Sequence, residues 1–285
     1  MPVTDDTDSS GDRDEYQREF YDRVLGHVET ILKTELDSET ARKYVYGLAF
    51  KENDVLPKRD RRPKPGTAFQ ADQIHRIHGG DEETRATLVQ FALVVAEYYD
   101  VVDDVVDGDV KPGHEREALL VAQLLMPVLA RLLHRLGDDA VEYWTREATA
   151  LVEAPLIHES ADGEPTGEAY LDLLERQASL RSSITGLAAV VAGADGDAVE
   201  RAENVGTAVH KLMQFATDLA QYESDNDPWN AVALFEETAY FEQLRTLRDE
   251  LDEALSAYPD EYACRMRAPW EDDVRPRYEE TVRGT

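Results

Sequence analysis

The sequence predicts an all-α protein, and three observations carry that prediction. Apolar residues recur at three- and four-residue spacing through most of the chain, glycines and short polar clusters interrupt them, and no stretch alternates apolar and polar residues as a half-buried strand would. The 42% hydrophobic content of the 285 residues is enough for a sizeable core. Against it stand 60 acidic and 30 basic residues, a formal net charge of -30 spread along the whole chain. Such a field repels polyanions, which argues against nucleic acid and anionic membranes as partners.

Only seven of the basic residues are Lys, and the acids fall on the outer faces of nearly every helix, as in proteins of extreme halophiles. At about 1 M salt the screening length is roughly 3 Å, so a surface of this kind tolerates its own repulsion. The acid excess therefore marks habitat and carries no information about a site. The single cysteine, Cys264, excludes an internal disulfide and a cysteine-based metal site. Residues 1–14 are acidic and polar, without the apolar run of a leader, and are expected to be disordered. No window is expected to reach the roughly 20 apolar residues that span a bilayer, so the expected location is the cytoplasm.

The first helix is read over Glu15 to Glu35, where Phe20, Val24, Val28, Ile31 and Leu32 share a face, and Asp37-Ser38 caps a second through Phe50. Residues 53–66 break the pattern with Pro57, Pro63 and Pro65 among Lys58, Arg59, Arg61, Arg62 and Lys64, the one dense basic cluster. Further helices are expected over Thr67 to His78, Glu82 to Asp107, Glu115 to Leu136, Asp138 to Val152, Gly167 to Ala192, Ala198 to Glu223 and Trp229 to Tyr258. Gly79-Gly80 and Gly137 mark helix ends. With no internal repeat and no long linker, residues 15–267 are expected to form a single domain, followed by a charged extension over 268–285.

The segment Tyr98-Tyr99-Asp100-Val101-Val102-Asp103-Asp104-Val105-Val106-Asp107-Gly108-Asp109 puts five carboxylates near the C-terminal end of a long apolar helix. Asp103 and Asp107, at i and i+4, share a face, where like charges repel and the negative end of the helix dipole adds to the penalty. A hard cation with oxygen ligands offsets both. Mg²⁺ suits the spacing, because it keeps several waters while bridging one or two carboxylates to substrate phosphates. The competing reading is a solvated acidic helix end, which so acidic a chain produces often.

The pattern Asp103-Asp104-Val105-Val106-Asp107 resembles the first aspartate-rich motif of the trans-isoprenyl diphosphate synthases (polyprenyl synthetases). Arg62-Pro63 and Gly79-Gly80-Asp81 precede it in that family's order, and the likeness covers roughly Phe50 to Asp225. It implies helices around a central cavity, metal binding by Asp103, Asp104 and Asp107, Mg²⁺ as cofactor, a prenyl diphosphate substrate and a homodimer. It also implies that Tyr99 and Tyr98, four and five residues before the motif, floor the product pocket, which points to a short product. Arg59, Arg62, Arg176, Gln177 and Gln214 are the substrate-binding positions it implies.

The second aspartate motif of the family reads Met213-Gln214-Phe215-Ala216-Thr217-Asp218-Leu219-Ala220-Gln221, keeping Asp218 as the implied metal ligand and losing two acids. Thr217, Gln221 and Asp225 form an alternative oxygen-donor triad at i, i+4 and i+8, spaced like the metal triad of class I terpene cyclases. His75 and His78 with Asp72 have metal-like spacing but no further ligands, and read rather as surface or cavity-edge histidines; His210 beside Lys211 could reach a phosphate or serve helix packing. The leading expectation is a Mg²⁺-dependent prenyltransferase that condenses an allylic diphosphate with isopentenyl diphosphate. A terpene cyclase or diphosphate lyase, and a non-catalytic homologue that pairs with an active synthase, are the alternatives.

Overall fold

The computed structural model describes residues 9–56, 65–159, 165–222, 228–266 and 271–283, and among these there is no strand. They divide into two compact units, one comprising residues up to Glu142 with Ala188–Ala194, the other Tyr143–Leu187 with the rest of the chain from Asp195.

The first unit holds α1 (Ser9–Glu35), α2 (Glu39–Ala49), α3 (Gly66–Ile77), α4 (Glu82–Val106), α5 (Glu115–Leu136) and the start of α6 (Asp138–Glu159). α1 begins at Ser9, inside the stretch expected to be disordered. α4 packs against α3 and α5. Leu88, Phe91, Ala92 and Val95 of α4 and Val121, Leu125, Val128 and Leu132 of α5 are almost wholly buried, a helical stripe on each partner. Phe20 of α1 meets Phe69 of α3 edge to face at 5.3 Å. Against the expectation that no stretch is apolar enough to cross a membrane, α5 is long and apolar enough by length and composition, as the core helix of a soluble protein also can be.

The turn between α3 and α4 is tightly built. Gly79 takes φ +73°, and Gly80 lies on the His75 ring so closely that a Cβ there would sit 2.1 Å from Cε1. Asp81 then caps α4, its Oδ1 accepting from the Glu83 and Thr84 N–H groups at 3.0 and 2.9 Å. The Thr84 bonds hold the Asp81 carboxyl below its usual range. A depressed carboxyl stabilises the fold above its unfolded pKa and loses that contribution as pH falls through its folded value. Asp81→Ala is therefore expected to lower Tm at pH 7, with the gap to the parent closing on acidification in a Tm-against-pH series; a gap of constant size would show that the cap is not the cause.

In the second unit α9 (Gly196–Gln221) packs against α7 (Gly167–Gln177), α10 (Ala231–Leu234), α11 (Glu237–Leu255) and α13 (Glu271–Arg283). α8 (Ser179–Val191) meets α9 through glycines: a Cβ on Gly206 would approach the Arg181 carbonyl oxygen to 2.7 Å, and one on Gly186 the Glu203 Cγ to 2.8 Å and the Tyr143 hydroxyl of α6 to 2.0 Å. That hydroxyl donates to Glu203 at 2.7 Å. The helix expected over Gly167 to Ala192 is two helices, because the chain turns at Ala178, whose N–H reaches the carbonyls of Leu174 and Arg176. The one expected over Trp229 to Tyr258 is also two, parted by extended backbone at Phe235 and Glu236. Beyond α12 (Asp260–Met266), the charged C-terminal stretch forms α13, anchored by Tyr278 against Tyr240 and Phe241 at 5.3 and 5.1 Å.

Candidate metal and diphosphate site

The aspartate motif closes α4. Asp103 and Asp107 are exposed one turn apart, roughly 6 Å along the axis, while Asp104 points inward at 2% exposure and Asp100 is also buried. The helix ends on the Asp107 N–H donating to the Asp103 carbonyl at 2.8 Å, and the chain reverses when the Asp109 N–H reaches the Asp104 carbonyl at 2.9 Å. Gly108, at φ +75°, makes that reversal possible. The two outward carboxylates thus stand at the negative end of a 25-residue helix.

One turn before them, Tyr98 and Tyr99 are half-buried with their rings edge to face at 5.1 Å. Burial pushes the Tyr99 phenol up to about 12, so it remains a neutral wall. The loop after the motif is tied to the segment before the basic cluster: the Lys111 N–H donates to the Val55 carbonyl at 2.8 Å, and Lys111 Nζ pairs with Asp54 at 2.9 Å. Asn53 shapes that segment, its Oδ1 accepting from the Val55 and Leu56 N–H groups. Arg59 and Arg62 lie outside the described residues, as does Asp225.

Among the described residues no three His, Cys, Asp or Glu side chains converge as a closed metal-binding set. Two exposed carboxylates on one helical turn fit Mg²⁺ in another way, since that ion completes its shell with water and substrate phosphate. The other sequence-predicted ligand differs in kind. Asp218, in the second unit, is 4% exposed, and its carboxylate accepts from Tyr170 Oη at 2.7 Å, Gln214 Nε2 at 2.9 Å and the Ala231 N–H at 2.8 Å. Gln214 is thereby engaged with Asp218. Thr217 is exposed beside them, and the Gln221 side chain lies outside the described set. Arg176 and Gln177 are exposed in the last turn of α7. Tyr170 and Asn230, which complete the Asp218 network, were not foreseen from sequence; Asn230 carries a legible signal, an Asn before a short apolar run.

His75 is an internal packing residue, not the surface or cavity-edge histidine expected. Asp72 is held by Arg85 and Arg76, and His75 is fully buried under Gly80, with burial holding its imidazole below the usual range. Burial, with Arg181 nearby, takes His210 down to about 3, so it is neutral at physiological pH. A cavity of about 200 Å³ between α1 and α4, lined in part by Arg23, His27, Arg85 and Gln90, lies at the other end of α4 from the motif, Arg85 being roughly 27 Å from Asp103 along the axis.

No protein-family model and no curated protein matches the chain. Solved structures do. A geranylgeranyl pyrophosphate synthetase from the archaeon Geoglobus acetivorans superposes with a TM-score of 0.67 at 15% identity, over 94% of this chain and 98% of its own. A polyprenyl synthase from Caulobacter crescentus, complexed with calcium and isoprenyl diphosphate, gives 0.66 at 15% identity over 86% and 92%. The heterotetrameric geranyl pyrophosphate synthase of mint, as a deletion mutant with ligands, gives 0.63 at 14% over 87% and 97%. The chain has the all-α fold of the trans-isoprenyl diphosphate synthases.

Proposed function

We propose that the protein is a Mg²⁺-dependent prenyltransferase that condenses an allylic diphosphate with isopentenyl diphosphate to a short-chain product. The observation that carries this reading is the exposed pair Asp103 and Asp107 on one turn at the end of α4, in a chain with the prenyl synthase fold. Asp103 and Asp107 would hold the metal, which supplies charge neutralisation to a departing diphosphate. The chain's own residues present those carboxylates on one face of α4, with the half-buried Tyr99 one turn before Asp103 on the same side of the helix. Cleavage of the allylic C–O bond leaves diphosphate and an allylic cation. The double bond of isopentenyl diphosphate attacks that cation, and loss of a proton restores neutrality at carbon. The two tyrosines one turn below the carboxylates support a short product.

The same reading places the protein in the cytoplasm, with a second copy or a related synthase docking on α5. Leu119, Leu120 and Met126 of that helix are 46%, 42% and 50% exposed, an apolar stripe unusual on a chain of charge -30. A second reading, release of diphosphate without elongation, keeps the same carboxylate pair on α4, whereas occupation of the Asp218 carboxylate by protein donors favours a non-catalytic homologue. The test is incubation of the purified protein at molar salt with Mg²⁺ and labelled geranyl diphosphate, with and without isopentenyl diphosphate. Elongated product supports the transferase. Diphosphate release alone supports the second reading, and inertness until an active synthase is added supports a regulatory homologue.

A further inference from the structure

The network around Asp218 is built for holding chain segments together. Its carboxylate accepts from a hydroxyl of α7, from an amide of its own helix and from the first backbone N–H of α10. Its backbone carbonyl accepts from Asn230 Nδ2 at 2.8 Å, while Asn230 Oδ1 accepts the Val232 N–H at 2.9 Å and so caps α10. Asp218 and Asn230 are both 4% exposed. Rings close over the group: Tyr170, Phe215 and Phe235 lie 5.8 to 6.2 Å from one another, and Phe215 stacks on Tyr240 at 4.6 Å. Three donors in an apolar, water-poor site satisfy most of a carboxylate's acceptor capacity, and a charge-assisted bond is about twice as strong as a neutral one. A hydrated Mg²⁺ needs open oxygens and room for its waters. These residues do not fit it. Thr217, next along the helix and exposed, supplies a neutral hydroxyl only.

We propose that Asp218 is a positioning residue, a latch that fixes the Asn230–Leu234 turn onto α7 and α9, and that it ligates no metal. Metal binding then depends on Asp103 and Asp107 alone, a statement that rests on the reading of α4 given above. The latch has its own readout. Asp218→Asn replaces the charged acceptor of the Ala231 N–H and the Tyr170 hydroxyl with a neutral one, so both bonds weaken. Hydrogen exchange resolved at 231–234 should speed at least tenfold in this variant, with a lower Tm. Mn²⁺ affinity, read by EPR titration of the full chain with inorganic diphosphate, should stay within twofold.

In the same titration, Asp103→Asn with Asp107→Asn should weaken Mn²⁺ at least tenfold and leave exchange at 231–234 unchanged. Loss of Mn²⁺ affinity in Asp218→Asn to the same extent, with exchange unmoved, overturns the latch. Unchanged affinity in the Asp103/Asp107 variant overturns the reading of α4 instead, so the two failures are distinct. If Asp218→Asn does not fold, Tyr170→Phe removes one donor and keeps the carboxylate: faster exchange at 231–234 with unaltered Mn²⁺ affinity supports the latch, and weakened Mn²⁺ affinity opposes it.

Discussion

Replacing Asp103 or Asp107 with alanine is expected to lower kcat/KM for the allylic diphosphate by roughly a hundredfold to a thousandfold. Metal-assisted departure of diphosphate is mostly electrostatic and worth several kcal/mol, and about 1.4 kcal/mol corresponds to one decade of rate. Stability should move the other way or not at all. The two carboxylates repel each other at i and i+4 and stand at the negative end of α4, so deleting one relieves about 0.5 kcal/mol. A variant that is catalytically dead yet melts no lower than the parent separates a chemical role from a structural one. Diphosphate release at saturating Mg²⁺ and a parallel melting curve make the measurement. Unchanged turnover in both single variants would show that these residues hold no catalytic metal.

The largest loss of stability is expected at Arg85. Its guanidinium binds the Asp72 carboxylate at 2.5 Å and also Glu82, and the Arg85 and Asp72 side chains are only 10% and 1% exposed. Arg85→Met keeps the length of the stem but strands a buried carboxylate with the partly exposed Arg76 as its remaining ion-pair partner. Breaking a buried pair from one side costs about 3–5 kcal/mol, which for a chain of this size lowers Tm by roughly 10 °C. Arg85→Lys should recover part of this, since a single ammonium cannot reproduce the fork. Because the pair is buried, the deficit should persist at molar salt, where exposed pairs such as Lys43–Glu39 are screened away. A calorimetric deficit below about 1 kcal/mol, or one that vanishes with salt, would contradict this account of the turn beneath α4.

The two sites differ in how far the sequence exposed them. Asp103 and Asp107 share a face because a helix repeats every 3.6 residues, so their pairing was readable from spacing alone. The inward turn of Asp104 follows from the same geometry. Helix termini with a side-chain cap, Ser38 before α2 and Asp81 before α4, were equally local. The breaks at Ala178 and at Phe235-Glu236 were not, since apolar periodicity runs through both and only the packing of α10 against α7 and α9 shows why the chain turns. The surroundings of Asp218 were hidden for a related reason: in sequence it is an acid in a metal-motif position, and nothing local shows that Tyr170 and Ala231 donate to it.

The sequence by itself determined the helical class, the acidic surface and the carboxylate pair on α4, because each depends on residues within a turn or two of one another. Tertiary structure alone decided which donors surround Asp218. Its partners Tyr170 and Ala231 stand 48 and 13 residues away, and a carboxylate's role is set by which donors reach it after folding. Of the four acids that the family resemblance implied as metal ligands, structure left Asp103 and Asp107 open to solvent, buried Asp104 and enclosed Asp218 among rings and hydrogen bonds.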